Sequence, residues 1–449
     1  MFKKLLIANR GEIARRIGAV ARGMGISTVA VYSDADAELP FVREADEAVR
    51  IGPAPAKESY LHIPAILEAA KATGAEAVHP GYGFLSENAE FANACKEAGL
   101  TFVGPPPEAL LRMKDKSQAR KLVAAANVPI VPGSEDVLPD VGAALAEAER
   151  IGYPVLVKAA GGGGGIGMAA ANNPAELEKA FRQCTDRARA AFGREGVYLE
   201  RYFPAPRHIE VQILGDHHGH LIHGLERECS IQRRHQKVVE EAPSPLFAEG
   251  RNADVAERMF TAAVNAARAF GYANAGTVEF LYADGEFYFI EMNARLQVEH
   301  PVTELTTGLE LIGWQLRIAA GEQLTVRQED VKRRGAAIEF RIYAEDPVKF
   351  FPSPGPLKVY APPSGEGVRL DSGYAEGNTV TPNYDPMIAK LIVSGATRAE
   401  AIERSIAALR GFRVEGIKTN IPLHLRILQS EAFRAGELNT RFLEHHAKP

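Results

Sequence analysis

Phe289-Ile290-Glu291-Met292-Asn293-Ala294-Arg295-Leu296-Gln297-Val298-Glu299 is the stretch that decides the reading of this chain. From 290 to 298 every even position is apolar, and from 291 to 299 every odd position is charged or an amide. A period of two predicts an extended chain. One face enters a core, and the other carries carboxylate, amide, guanidinium, amide and carboxylate in a row. Glu291 and Asn293 are hard oxygen donors of the kind magnesium accepts beside phosphates.

The run before it, Thr277-Val278-Glu279-Phe280-Leu281, predicts a partner strand joined around Asp284-Gly285. A three-residue loop pairing 283 with 287 sets Glu279 opposite Glu291, whereas a two-residue Asp-Gly turn sets it opposite Ile290. The longer, bulged loop is therefore expected. Two facing carboxylates repel unless a cation lies between them. The competing reading is a structural ion pair between Glu279 and an arginine.

A second signal is Tyr153-Pro154-Val155-Leu156-Val157-Lys158, a strand ending in a lysine and followed at once by Ala159-Ala160, Gly161–Gly165 and Ile166-Gly167-Met168. Five successive glycines make a poor strand or helix, because ordering them costs more backbone entropy than any other residue. They suit a place where bare N–H groups approach phosphate oxygens, with Lys158 as a point charge. A flexible linker is the alternative, but linkers mix Gly with Ser, Pro or charge. The GxxxxGK[ST] order of a P-loop is absent.

Around these signals the chain divides. Residues 1–113 alternate short β runs (Lys4–Ala8, Thr28–Tyr32, Ala77–His79, Phe102-Val103) with helical patterns (12–24, 60–72, 88–98), which predicts a helix-covered parallel sheet. Asn9-Arg10-Gly11-Glu12 is not a GxGxxG turn, so dinucleotide binding there is not expected. The cluster Gly104-Pro105-Pro106-Pro107 marks a boundary. A helix over 108–125 leads through a linker, 114–133, to a compact unit at 134–203, and 204–449 is rich in hairpin signals. Turn-flanking His217, His218 and His220 read as solvated.

Bulk properties limit the function classes. Of 449 residues, 46% are hydrophobic and 24% charged, ordinary for a globular chain of several domains. A net charge of −5 gives no general attraction to nucleic acid or anionic membrane. Three cysteines without paired spacing argue against disulfides and a cysteine zinc site. No apolar run approaches the roughly 20 residues that span a bilayer. A cytoplasmic protein is expected.

The glycine loop, the lysine before it and the Glu/Glu/Asn hairpin together resemble the ATP-grasp fold. Further strings narrow the resemblance to the biotin carboxylase family. They are His79-Pro80-Gly81-Tyr82-Gly83-Phe84-Leu85-Ser86-Glu87-Asn88, Gln232-Arg233-Arg234-His235-Gln236-Lys237, Glu291–His300 and Arg341-Ile342-Tyr343-Ala344-Glu345-Asp346. The similarity runs from residue 2 to about 445, with the motifs in family order.

The resemblance implies an α/β and α+β architecture. A Rossmann-like pre-ATP-grasp domain would be followed by a mobile glycine-rich lid and a β-rich C-terminal domain. Lys116, Lys158, Gly163, Gly164, Gly165, Met168, Glu200, His208, Gln232, His235, Glu279, Leu281 and Glu291 would bind ATP. Glu279, Glu291 and Asn293 would hold two Mg²⁺ or Mn²⁺ ions. Lys237, Arg295, Gln297, Val298 (through its backbone) and Glu299 would hold bicarbonate, and Tyr82, Arg341 and Asp385 would flank biotin. Arg295, Glu299, Arg341 and Lys237 would be catalytic, with Glu299 the base. A biotin carboxyl carrier protein and a carboxyltransferase subunit would be partners, since no Ala-Met-Lys-Met attachment site appears. A homodimer is also implied.

In one place the chain departs from the family. Ile166 stands where members usually carry Arg or Lys, which implies altered phosphate binding by the lid. Two rival readings are another ATP-grasp ligase and a non-catalytic nucleotide-binding regulator. The strings around Tyr82, Lys237 and Arg341 oppose the first, and the intact Glu279, Glu291, Asn293, Arg295 and Glu299 oppose the second.

Overall fold

A computed structural model describes residues 1–159, 168–192 and 197–446. The candidates Gly163, Gly164 and Gly165, with Ile166, lie outside the described residues, as does the side chain of Lys116.

The chain begins with five parallel strands, β1 (Lys4–Ile7), β2 (Ser27–Ser33), β3 (Glu47–Gly52), β4 (Ala77–His79) and β5 (Thr101–Phe102), ordered 3-2-1-4-5. Apolar residues on both faces of β1 explain its central place. Leu5 and Ile7 pack with Ile13 and Ile17 of the first helix, α1 (Gly11–Gly23), while Leu6 packs with Ile66 and Phe91 on the opposite side. The strand order reverses between β1 and β4, and doubly wound sheets form their crevices at such a point. Asn9 follows β1 there, and its Nδ2 donates to the carbonyls of Pro80 and Tyr82, 2.7 Å each, in the loop after β4.

Several expected bounds shift. The helix expected over 60–72 runs Ile63–Thr73, with His62 Nδ1 accepting from the Ala65 amide. The single helix expected over 108–125 is two, Pro107–Lys114 and Lys116–Ala125. They break at Asp115, whose extended backbone lets its carboxylate accept from the Gln118 amide.

Three antiparallel strands follow, β6 (Val155–Ala159), β7 (Met168–Ala171) and β8 (Val197–Arg201), ordered 7-6-8. Val155, Val157 and Leu199 turn toward Leu177 and Phe181 of the helix Pro174–Phe192. Strand β7 was not expected.

The largest element after these is an eight-stranded antiparallel sheet. It contains β9 (Arg207–Gly215), β10 (Leu221–Arg233), β11 (Gln236–Ala242), β12 (Asn274–Ala283), β13 (Glu286–Asn293) and β14 (Ala336–Tyr343), with the strands Val368–Ser372 and Met387–Gly395. The lateral order is 13-12-9-10-11-14, then Met387–Gly395, then Val368–Ser372. The helix Ala253–Phe270 covers one face, packing on Val211, Val278, Phe280 and Phe289.

The β12–β13 hairpin corrects the expected loop. Ala283 pairs with Glu286 across a two-residue Asp284-Gly285 turn, both turn residues having positive φ. The pairs Tyr282–Phe287, Leu281–Tyr288 and Phe280–Phe289 follow, and then Ile290 is bulged out so that Glu279 faces Glu291 after all. The facing pair is therefore as expected, but the means is a bulge inside the strand. Parity also flips at this point. Phe287 and Phe289 are buried before the bulge and Met292 after it, leaving Ile290 exposed. The extended reading also stops early, because β13 ends at Asn293 and 294–299 form bends and a turn leading into the helix His300–Thr307.

Candidate active site

Register aligns four side chains across four strands. Glu291 on β13 pairs with Glu279 on β12, Glu279 with Glu210 on β9, and Glu210 with Arg227 on β10. Directly opposed residues of an antiparallel ladder share a face, so three carboxylates and a guanidinium form one row. Burying such a row needs compensation within it. Arg227, fully buried, donates to Glu210 Oε1 at 2.5 Å and Gln212 Oε1 at 2.7 Å. It also reaches Gln297 Oε1 at 2.7 Å, Thr303 Oγ1 at 2.9 Å and Thr277 Oγ1 at 3.0 Å. Its five N–H donors are thereby used.

Lys237 is the second compensating cation. Its Nζ donates to Glu210 Oε2 at 2.6 Å, Glu299 Oε1 at 2.7 Å and Glu279 Oε1 at 2.8 Å. Arg341 holds the other oxygen of Glu299, Nη2 to Oε2 at 3.0 Å, and donates from Nε to Glu240 Oε1 at 2.6 Å. Gln297 Nε2 adds a bond to Glu279 Oε1 at 2.8 Å. The structure thus unites Lys237, Glu279, Gln297, Glu299 and Arg341. The face expected to be wet is largely enclosed, since Asn293, Gln297 and Glu299 are buried against this network. Glu279 does form an ion pair, among the described residues with Lys237 and not with an arginine, and His208 Nε2 lies 3.3 Å from Glu279 Oε2.

The charges set the chemistry. Burial disfavours ionisation of Glu299, but Lys237, Arg341 and Arg227 outweigh it and hold the carboxyl well below the usual range. Burial likewise opposes charge on Lys237, yet Glu210, Glu279 and Glu299 keep the ammonium charged well above its ordinary pKa. An incoming anion that took hydrogen bonds from Lys237 and Arg341 would free the Glu299 carboxylate and raise its proton affinity.

For a divalent cation, the donor set fits. Glu279 and Glu291 are in-register hard carboxylates, Asn293 lies on the same strand, and donor atoms of His208, Glu210 and Glu279 all lie within 4.8 Å of one another. Asn293 Oδ1 accepts from Arg295 Nη2 at 2.9 Å, and Arg295 Nε contacts Glu87 Oε2 at 3.2 Å.

Other nucleotide candidates sit around this centre. Gln232 Nε2 is 3.0 Å from His208 Nδ1, and Leu281 pairs with His208 on the neighbouring strand. His235 is exposed, on the two-residue turn joining β10 to β11. On the three-stranded sheet, Glu200 accepts from Lys158 Nζ and from Arg120 Nη1, the latter at 3.0 Å, and Met168 pairs with Lys158. Tyr82, at the switch point, donates to Glu12 of α1. Asp385 is exposed and accepts from the Met387 amide at 2.9 Å.

Sequence reasoning missed Glu210, Arg227, Glu240, Glu339 and Lys390, each with a relative exposure of 0%. The signal lay in charges inside otherwise apolar strands, as in Ile338-Glu339-Phe340-Arg341-Ile342.

The fold and this charged centre define an ATP-dependent ligase of the ATP-grasp type. Residues 115–327 match the carbamoyl-phosphate synthase L chain ATP-binding domain, 1–110 the biotin carboxylase N-terminal domain and 339–445 the biotin carboxylase C-terminal domain. The biotin carboxylase of Halalkalibacterium halodurans is 54% identical, covering 100% of this chain and 98% of its own. Biotin carboxylase 2 of Bacillus subtilis is 52% identical over 99% and 100% of the two chains. A biotin carboxylase from Campylobacter jejuni, solved as a β,γ-ATP complex, superposes with TM-score 0.93 at 44% identity over 99% of each chain. The biotin carboxylase domain dimer of Hydrogenobacter thermophilus 2-oxoglutarate carboxylase, with MgADP, ADP and bicarbonate, gives 0.91 at 46% identity over 99% and 98%. The chain belongs to the biotin carboxylase family.

Proposed function

We propose that this chain uses ATP and bicarbonate to carboxylate biotin on a separate carrier protein, by way of carboxyphosphate. The observation that carries the reading is Lys237 shared among Glu210, Glu279 and Glu299, with Arg341 on the far oxygen of Glu299. Two cations and one carboxylate form a receptor for a small anion that must lose a proton.

Bicarbonate is a weak nucleophile. Lys237 and Arg295 hold it in line with the γ-phosphate, Gln297 and the Val298 main chain fix its orientation, and Glu299 takes its proton. Its oxygen displaces ADP from the γ-phosphorus. The resulting carboxyphosphate releases CO2, the phosphate so formed removes the ureido proton of biotin, and the ureido nitrogen then bonds to the CO2 carbon to give carboxybiotin. Tyr82 and Asp385 flank biotin, and Arg341 stabilises the enolate, because its guanidinium stays charged and matches an oxyanion. Lys116, Lys158, residues 163–165, Met168, Glu200, His208, Gln232, His235 and Leu281 hold the nucleotide. Glu279, Glu291 and Asn293 hold Mg²⁺ or Mn²⁺. A metal held there would neutralise charge on the phosphate oxygens.

Residues 1–113, 134–203 and 204–449 act as N-terminal domain, lid and C-terminal domain, with 114–133 between the first two. A carboxyltransferase partner receives the carboxyl group, and the chain works in the cytoplasm as a homodimer. The dimer formed by the biotin carboxylase domain of the Hydrogenobacter relative supports the last point. Among the described residues no helix is long and apolar enough to cross a membrane.

The test is ADP release from ATP and Mg²⁺ with bicarbonate and free biotin added singly and together. Release that needs both supports the proposal, and release indifferent to bicarbonate overturns it.

A further inference from the structure

Lys390 lies in the strand Met387–Gly395, next to β14, and its side chain has a relative exposure of 0%. Its cross-strand neighbours are Arg341 on one side and Asp371 on the other. A lone buried ammonium is costly, so its surroundings must account for it. Nζ donates to the Val298 carbonyl at 2.8 Å and lies 3.3 Å from Glu12 Oε2 and 3.7 Å from Asp371 Oδ2. Burial pulls against its charge, but Glu12, Glu339 and Asp371 keep it protonated.

These contacts form a chain between distant segments. Tyr82, in the switch-point loop, donates to Glu12 Oε1, and the other oxygen of Glu12 faces Lys390. Lys390 then grips the carbonyl of the peptide joining Val298 to Glu299. A peptide is planar, so fixing that carbonyl fixes the plane from which Glu299 projects. This turn lies between the end of β13 and the helix His300–Thr307 and has no strand ladder to orient it. Neither Lys390 nor Glu12 belongs to the proposed ligand sets.

We infer that Lys390 and Glu12 are positioning residues, a buried Tyr82–Glu12–Lys390–Val298 relay that ties the biotin-flanking tyrosine to the loop holding bicarbonate. The inference rests on the reading of 295–299 as the bicarbonate loop. It assigns Lys390 no contact with any substrate. Its effect passes through the 298–299 peptide, so bicarbonate use should suffer while ATP use does not.

The experiment is steady-state ADP release by the full chain, titrating bicarbonate, ATP and free biotin in turn, for wild type, Lys390→Met and Glu12→Gln. Losing a charge-assisted bond predicts a bicarbonate KM about 10- to 100-fold higher in Lys390→Met, with the ATP KM within about twofold. Glu12→Gln keeps an oxygen toward Lys390 but not the charge. It should raise the bicarbonate and biotin KM values about threefold or more, again sparing ATP. Should Lys390→Met not fold, Glu12→Gln decides alone. Unchanged bicarbonate KM in the folded variants, or bicarbonate and ATP KM rising together, overturns the relay while leaving the proposed function standing. A wild-type chain with no bicarbonate-dependent turnover overturns both.

Discussion

Glu240 and Glu339 face each other across β11 and β14, each fully buried, and neither oxygen of Glu339 has a hydrogen-bond partner. Burial raises Glu339 well above the usual carboxyl range, with Lys390 opposing and Glu240 adding to the rise. Burial also raises Glu240, to about 7, against the pull of Arg341. The pair accommodates at most one full negative charge near neutrality. Glu339→Gln copies the protonated form and should leave fold and turnover near wild type. Glu240→Gln removes the charged partner of Arg341 Nε and should lower kcat about 10- to 100-fold. For a raised carboxyl the folded state binds more protons, so stability is lost as pH climbs from about 4.5 to about 7. Glu339→Gln should therefore lose less stability than wild type between pH 5 and 8 in urea unfolding. An equal loss would contradict the shared proton.

Arg295→Ala and Arg341→Ala should each cost about 10²–10³ in turnover, the usual scale for one preorganised electrostatic contact. Bicarbonate-dependent ADP release measures it. Activity within a few-fold of wild type would remove either residue from the proposed chemistry.

Glu291→Gln takes one charge from the carboxylate pair set by the bulge. The Mg²⁺ concentration giving half-maximal turnover should rise about tenfold or more, and chelation should abolish turnover in wild type. A magnesium curve that does not move would reassign Glu291.

His79 and His424 are buried, and desolvation lowers each to about 4. The unfolded chain binds their protons near pH 6.5, so their contribution is complete above that and is lost as pH falls toward 4. His424→Gln should reduce the slope of unfolding free energy against pH in that window by up to about 1.4 kcal/mol per pH unit. Equal slopes would show that His424 titrates normally.

Much of this was legible locally. Short β runs alternating with helical patterns over residues 1–113 announced a helix-covered parallel sheet, and alternation through Glu291 and Asn293 announced a strand with one polar face. Strand β3 escaped notice because Glu47, Ala48 and Arg50 are exposed on a sheet edge, and β7 because Met168-Ala169-Ala170-Ala171 lacks branched or aromatic residues. The bulge left one trace, two adjacent apolar residues, Phe289 and Ile290, where strict alternation allows one. Arg227 and Lys390 were out of reach, since their partners lie at 277, 297 and 303, and at 12, 298 and 371. No window of sequence contains such a neighbourhood.

The extra residue at 290 also selects between two closures of one hairpin. A longer tip with an unbroken ladder would still bring Glu279 before Glu291, but it would send Tyr288 and Ile290 inward and leave two phenylalanines wet. As built, Phe287 and Phe289 lie edge-on to Phe280, with centroids 5.4 and 6.5 Å away. Burying a Phe ring is worth about 1.5–3 kcal/mol over leaving it exposed. The other closure would bury Tyr288 and Ile290 instead, so the choice turns on how the two phenylalanines fit against Phe280. An aromatic cluster on the far side of the sheet thus acts as the latch that keeps this hairpin from settling into its near-degenerate twin.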